Sequence, residues 1–192
     1  PGQGSCSGLF IANTMACLTE AMGLSLTGCA TALAVDKKKV ELAKETGRRI
    51  VQLVRDGVKA RDIVSMASIR NAIRVDMSIG GSTNTALHIP AIARDFGHRI
   101  SLDLFDEISR TVPHITSLRP GGPYSIRDLD NAGGIPAVLK RIRDSLEDAP
   151  TVNGRSVLDI ADSATVLNEG VLRPLDNPFH VQGGIAVLKG NL

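Results

Sequence analysis

Hydrophobic residues recur at helical spacing along most of the chain. Ile11, Met15, Leu18 and Met22 stand at i, i+4, i+7 and i+11, with Gly23 placed as a left-handed cap, so the pattern predicts a helix over 8–22. Asp36 is placed to cap a second helix, in which Val40, Ala43, Gly47, Ile50 and Val54 line one face and Gly57 ends the run. The Lys37–Lys39 run reads as a solvated face of that helix. A third helical stretch covers 60–72, and 73–79 is too short and mixed to type. Gly80-Gly81 is a breaker, Ser82 follows as a capping residue, and 83–96 has helical spacing with Pro90 inside it, which predicts a kink. Beyond it, 102–109 reads as a short helix, 114–118 as a strand and 119–123 as a loop. The segment 135–146 is amphipathic again, with Val138, Leu139, Ile142 and Leu146 on one face.

The texture changes after Leu146, where 147–154 is polar and 172–184 is rich in turn residues. Gly184–Gly190 reads as a buried strand bounded by glycines, and a lone strand leaves its backbone groups unpaired. The pattern therefore predicts a helix-rich domain over 1–146, which with the resemblance described below reads as the later part of an α/β domain. Residues 147–192 would be an interdomain connection and the first strand of a β-rich domain. A chain that opens inside a glycine-cysteine motif and closes on a new strand has the anatomy of a piece of a longer protein.

Composition narrows the function classes. With 43% hydrophobic and 22% charged residues the chain is globular. A net charge of +2, a single Tyr and no Trp argue against a nucleic-acid partner. No apolar run approaches the roughly 20 residues of a membrane span, and residues 1–5 lack the basic start of a signal peptide. The cysteines, Cys6, Cys17 and Cys29, are too few and odd in number for a disulfide framework, which favours a reducing compartment, the cytoplasm, with thiols used singly or as metal ligands.

The segment Gly2-Gln3-Gly4-Ser5-Cys6-Ser7-Gly8 is the most informative: a glycine-rich turn that carries one thiol directly before a helix. The positive end of a helix dipole and unpaired N–H groups there would stabilise a thiolate, the form that binds metal or attacks as a nucleophile. Equally, Cys6 is a small residue suited to burial in a tight turn. No CxxC spacing accompanies it, so the chain cannot close a four-thiolate site alone. At Gly80–Thr85, successive N–H groups with the Ser82 and Thr83 hydroxyls would hold a carboxylate or a neighbouring loop, although Gly-Gly-Ser is also what an ordinary helix start looks like. His88 reads as a core or supporting residue, and His98, His114 and His180 have no companions suited to a metal. Asp128 and Asp130 read as helix-start caps, and Asp176-Asn177-Pro178 as a turn.

The run Gly4-Ser5-Cys6-Ser7-Gly8-Leu9-Phe10-Ile11-Ala12-Asn13-Thr14-Met15, continued by Leu18-Thr19-Glu20-Ala21-Met22-Gly23-Leu24-Ser25-Leu26, resembles the third cysteine motif of the dihydroxy-acid and sugar-acid dehydratase family. Gly80-Gly81-Ser82-Thr83-Asn84-Thr85 with Leu87-His88, and Pro174–Phe179 with Gly183–Leu192, resemble further motifs of that family in the same order. The resemblance implies an α/β/α N-terminal domain that binds an iron–sulfur cluster, of the 2Fe-2S or 4Fe-4S type, followed by a β-barrel-like domain. It implies hydro-lyase chemistry on a small hydroxy acid. Water leaves a 2,3-dihydroxy acid of branched-chain amino-acid biosynthesis, or a sugar acid, to give a 2-keto acid, with iron acting on the departing C3 hydroxyl and Mg²⁺ on the carboxylate and C2 oxygen. By the same resemblance Cys6 is one of three cysteinyl ligands of the iron, and Ser82 and Thr83 are candidate substrate contacts. Cys17 and Cys29 match no family ligand, and Pro90 departs from the family's commonest pattern. The remaining ligands and the catalytic serine lie outside this chain, which is expected to be inactive alone. The family precedent is a homodimer or homotetramer. A module that keeps this scaffold without its chemistry is the alternative.

Overall fold

The structure, a computed structural model, describes residues 6–191. Among them are nine α-helices and no β-strand, so the fold is helix-rich and the expected β part of the α/β reading is absent from this stretch. The helices are α1 (Ile11–Ala21), α2 (Lys37–Arg55), α3 (Ala60–Ile63), α4 (Met66–Ile79), α5 (Thr85–Asp95), α6 (Leu102–Thr111), α7 (Ile126–Asn131), α8 (Gly134–Arg141) and α9 (Val157–Ser163), with one 3₁₀ turn at Arg143–Ser145.

Helix α4 is the centre of the molecule, in contact with α1, α5, α6 and α8. Ser65 caps it by accepting from the Ser68 amide at 3.3 Å, and Gly80, at φ +62°, ends it in the left-handed conformation that favours glycine. Ile69, Ile73, Met77 and Ile79 are fully buried on several sides of this helix. Here the sequence pattern misled in two ways. The chain breaks at Val64-Ser65, inside the helix expected over 60–72, and the untyped segment 73–79 is the second half of α4. A helix enclosed all round shows no single apolar stripe, and buried Asn71, Asp76 and Ser78 blur the period further.

Helix α2 shows the opposite case. Its expected bounds hold, with Gly57 at φ +70°, but Asp36 at the N-cap position makes no side-chain cap bond and pairs with Arg127 instead, and the apolar stripe does not face the core. Val40, Ile50 and Val54 are exposed, Val54 at 72%, and Leu53 is the buried residue of the helix. Lys39, expected in solvent, is instead half-buried, with its Nζ 2.6 Å from the Cys29 carbonyl oxygen.

Helix α5 begins at Thr85, with Asn84 rather than Ser82 at its N-cap, and runs unbroken through Pro90. The 114–118 segment forms isolated bridges, His114 to His180 and Leu118 to Tyr124, and no ladder. Gly184–Gly190 forms no strand either. Ile185 and Val187 lean on the core while Leu188 is 92% exposed, and no second strand lies alongside to complete the hydrogen-bond ladder. Past Leu146, the chain is fastened to α4 by Glu147, which takes hydrogen bonds from Arg70 and Arg74, and Ala149, Val157, Ile160, Val171 and Leu172 join the same apolar core.

Candidate functional site

Cys6 stands on a short extended segment ahead of α1, and each residue of that segment is tied down. The Ser7 carbonyl accepts from the Ile126 amide at 2.9 Å, and the Leu9 amide donates to the Arg119 carbonyl at 2.7 Å. Gly8 passes so close to Arg119 that a Cβ would lie 2.6 Å from the carbonyl oxygen, which is why glycine is required. From α1, the Asn13 amide donates to the carbonyls of Cys6 at 3.2 Å and Gly8 at 2.8 Å. The thiol itself is exposed, so the reading of Cys6 as a buried turn residue is set aside. Helix α1 begins at Ile11 rather than directly after Cys6, and the Cys6 thiol donates to the Gly8 carbonyl oxygen at 3.7 Å. Residues 2–5 of the glycine-rich turn lie outside the described residues.

Cys6 opens into a cavity of about 220 Å³ lined by Asn13, Ala16, Thr31, Lys39 and Ile126 among others. Its far wall is the loop 28–31, which is built on a buried carboxylate. Glu20 of α1 accepts from the amides of Gly28 at 2.7 Å and Ala30 at 2.8 Å. Burial pushes the Glu20 carboxyl up to about 7, against those two N–H groups, which pull it down. Thr31 donates to Asp130 at 2.6 Å and Lys38 reaches the same oxygen at 2.8 Å, so Asp130 anchors the loop and does not cap a helix. Asp128 does cap, in a reciprocal box with Ser125. Nothing in the periodicity of the sequence marked Glu20 or Asp130: Glu20 stands opposite the Ile11, Met15, Leu18 and Met22 stripe of α1, where a charged residue reads as solvent-facing.

Ser82 and Thr83 sit on the loop between α4 and α5. Gly81 lies against Asp76 so closely that a Cβ there would meet the Asp76 Oδ1 at 2.1 Å. The Ser82 amide donates to the Thr14 hydroxyl at 3.1 Å, while the Ser82 hydroxyl accepts from the Asn84 side chain at 2.7 Å. Asn13 and Thr14, consecutive on α1, therefore hold the Cys6 segment and the Gly81-Ser82 loop respectively.

The other sulfur and imidazole groups lie apart from this arrangement. Cys17 is fully buried in α1, where burial pushes its thiol far up, as suits a structural role. The Lys39 ammonium is 3.8 Å from the Cys29 sulfur. His114 and His180, without metal-binding companions in the sequence reading, stack on each other at 5.3 Å. Among the described residues no three His, Cys, Asp or Glu side chains converge as a metal site. Cys6 thus fits an iron centre as a single accessible thiol, one that requires ligands from outside the described residues. Among the described residues no helix is long and apolar enough to cross a membrane.

Residues 1–160 match the family described as dihydroxy-acid/6-phosphogluconate dehydratase, N-terminal. Among curated relatives, the chain is 55% identical to dihydroxy-acid dehydratase 1 of Methanosarcina acetivorans, and 54% identical to the dihydroxy-acid dehydratases of Endomicrobium trichonymphae and Methanococcus maripaludis strain C5. Each match covers all of this chain and 35% of the relative, so the chain spans about a third of the length of these proteins. With its N-terminal region matched over 160 residues, the chain belongs to the dihydroxy-acid/6-phosphogluconate dehydratase family.

Proposed function

We propose that this chain is the part of an iron–sulfur-dependent dihydroxy-acid dehydratase that contributes Cys6 as one of three thiolate ligands. The single observation behind this is the exposed Cys6 thiol at the mouth of a 220 Å³ cavity, on a segment fixed by Asn13, Arg119 and Ile126. When bound, the cluster would supply a Lewis-acidic iron for a departing hydroxyl, and a Mg²⁺ held by residues other than those described would supply a second Lewis acid for the substrate's oxygens. The residues of this chain hold and shape. Asn13 fixes the backbone on which the thiol is carried, Glu20 and Asp130 fix the facing wall, and Thr14 fixes the loop that presents the Ser82 and Thr83 hydroxyls to a small hydroxy acid.

The reaction we infer is loss of water from a 2,3-dihydroxy carboxylic acid to give a 2-keto acid, in branched-chain amino-acid biosynthesis in the cytoplasm, by a homodimer or homotetramer. The names of the relatives, all dihydroxy-acid dehydratases at 53–55% identity, favour this substrate over a sugar acid. The test is anaerobic reconstitution of the full-length protein with iron and sulfide, wild type against Cys6→Ser, followed by absorption spectra, iron content and assays on both acid classes. Wild type is expected to gain cluster absorption and to dehydrate the 2,3-dihydroxy acid, Cys6→Ser to do neither, and this chain alone to hold no stable cluster. A Cys6→Ser protein that assembles the same cluster refutes the assignment.

A further inference from the structure

One hydroxyl proton in the core is asked to serve two acceptors. The Thr85 Oγ1 lies 2.6 Å from the Asp76 Oδ2 and 3.0 Å from the Ser82 carbonyl oxygen, and both distances are hydrogen bonds. A threonine hydroxyl has one proton. If Asp76 were ionised, that proton would go to the carboxylate, and two oxygen lone pairs would face each other across the 3.0 Å to Ser82. If Asp76 is a neutral acid, every contact is satisfied, because its O–H donates to Thr85 and Thr85 donates to Ser82.

A second, independent feature points the same way. Asp76 is fully buried, and its other oxygen, Oδ1, has no hydrogen-bond partner. Half of a carboxylate left bare in a dry core is costly, whereas the carbonyl oxygen of a neutral acid is much less so. The bare oxygen also fixes where the proton is: on Oδ2, the only one of the two with an acceptor. Among the described residues no cation offsets a charge here. The titratable group facing Asp76 from α1 is Cys17, kept as a thiol by burial, and His114, beside Gly80, is driven toward its neutral form by burial. Burial with only the Thr85 hydroxyl in opposition pushes the Asp76 carboxyl up to about 7.

We infer that Asp76 is a positioning residue that works as a neutral acid, its proton completing the chain Asp76 O–H to Thr85 O–H to the Ser82 carbonyl and so setting the loop that carries Ser82 and Thr83. Deprotonation withdraws the Thr85 proton from Ser82 and loosens the loop without moving α4. The link to substrate rests on the proposed function; the location of the proton does not.

The test compares wild type with Asp76→Asn, whose amide can donate to Thr85 as the acid does, and with Asp76→Ala and Thr85→Val, which break the chain. In the 192-residue chain labelled with ¹³C-aspartate, infrared spectra at mildly acidic pH are expected to show an un-ionised carboxylic-acid band that shifts with the label. The label separates it from Glu20. The band should fade as pH rises through neutrality and be missing from Asp76→Asn. Amide hydrogen exchange at 81–85 should rise roughly tenfold in Thr85→Val and Asp76→Ala, the loss of about one buried hydrogen bond, and stay within about threefold of wild type in Asp76→Asn. Absence of a label-sensitive acid band, or exchange in Asp76→Asn as fast as in Thr85→Val, overturns the inference; Thr85→Val serves if Asp76→Ala does not fold. In the full-length enzyme Thr85→Val should raise KM more than it lowers kcat. If the infrared and exchange results hold but KM does not move, the proton chain stands and the reading of Ser82 and Thr83 as substrate contacts falls.

Discussion

Asn13 holds the Gly8 carbonyl at 2.8 Å from the first turn of α1, and with its second bond, to the Cys6 carbonyl, it fixes the backbone that follows the Cys6 thiol. Replacing Asn13 by Ala removes two partly exposed hydrogen bonds, so the fold should lose only about 1 kcal/mol. The segment, however, should lose its register. Iron retained per chain after anaerobic reconstitution of the full-length Asn13→Ala protein is expected to fall well below wild type, while the chemical-denaturation midpoint moves little.

Glu20 is expected to be far less replaceable. Glu20→Ala strands the amides of Gly28 and Ala30 in a largely buried site and should cost about 3 kcal/mol by urea denaturation. Glu20→Gln keeps one acceptor and should cost less than half of that.

The same residue gives a pH dependence. Its folded-state pKa, about 7, stands above the ordinary 4.5, so the folded chain binds the proton more tightly than the unfolded one. Stability from this group is complete below pH 4.5 and lost as pH rises through 7. Denaturation midpoints should be higher at pH 5 than at pH 8, and Glu20→Gln should narrow that difference.

Glu147 works in the opposite direction. Hydrogen bonds from Arg70 and then Arg74 hold its carboxyl down to about 2, against 4.5 when free, so its contribution is present above pH 4.5 and lost as pH falls toward 2. Because the pair is about one-third exposed, Glu147→Gln should cost only about 1 kcal/mol at pH 7, and its effect should vanish at pH 2. Acid titration by circular dichroism of both proteins checks this.

Three glycines separate close approach from open space. Gly8→Ala and Gly81→Ala put a methyl 2.6 Å from the Arg119 carbonyl oxygen and 2.1 Å from the Asp76 Oδ1, and each should cost about 2 kcal/mol or more. Gly47, inside α2, has nothing within 4 Å of an added Cβ. Gly47→Ala should therefore stabilise by about 0.5–1 kcal/mol, through helix propensity alone. Thermal melts of the three variants decide it.

How legible these features were depended on whether they repeat along the chain. α1 and α6 each left one apolar stripe that marks the helix, although α1 starts at Ile11, three residues later than its stripe suggested. α4 left none because it is enclosed, and the stripe on α2 was real but told nothing of which way it faces. Gly184–Gly190 keeps the alternation of a strand, since Ile185 and Val187 turn inward and Ala186 and Leu188 outward, yet a strand also needs a neighbour that no local pattern can supply. Within the site, Cys6 and the Ser82 loop were visible as motifs. The roles of Glu20, Asp76 and Asp130 were not, because each acts on partners 8 to 99 residues away in sequence, and only the folded chain brings them within reach.

Helix α2 commits 19 residues to regular structure while sinking one of them, Leu53, into the interior. Its own hydrogen bonds, the burial of Leu53 and a few tethers, among them Arg49 to the Val152 carbonyl, Lys39 to the Cys29 carbonyl and Lys38 to Asp130, oppose the entropy it would regain by melting. Warming should peel α2 away while α4 stays shut, so the wall around Lys39 would soften ahead of global unfolding.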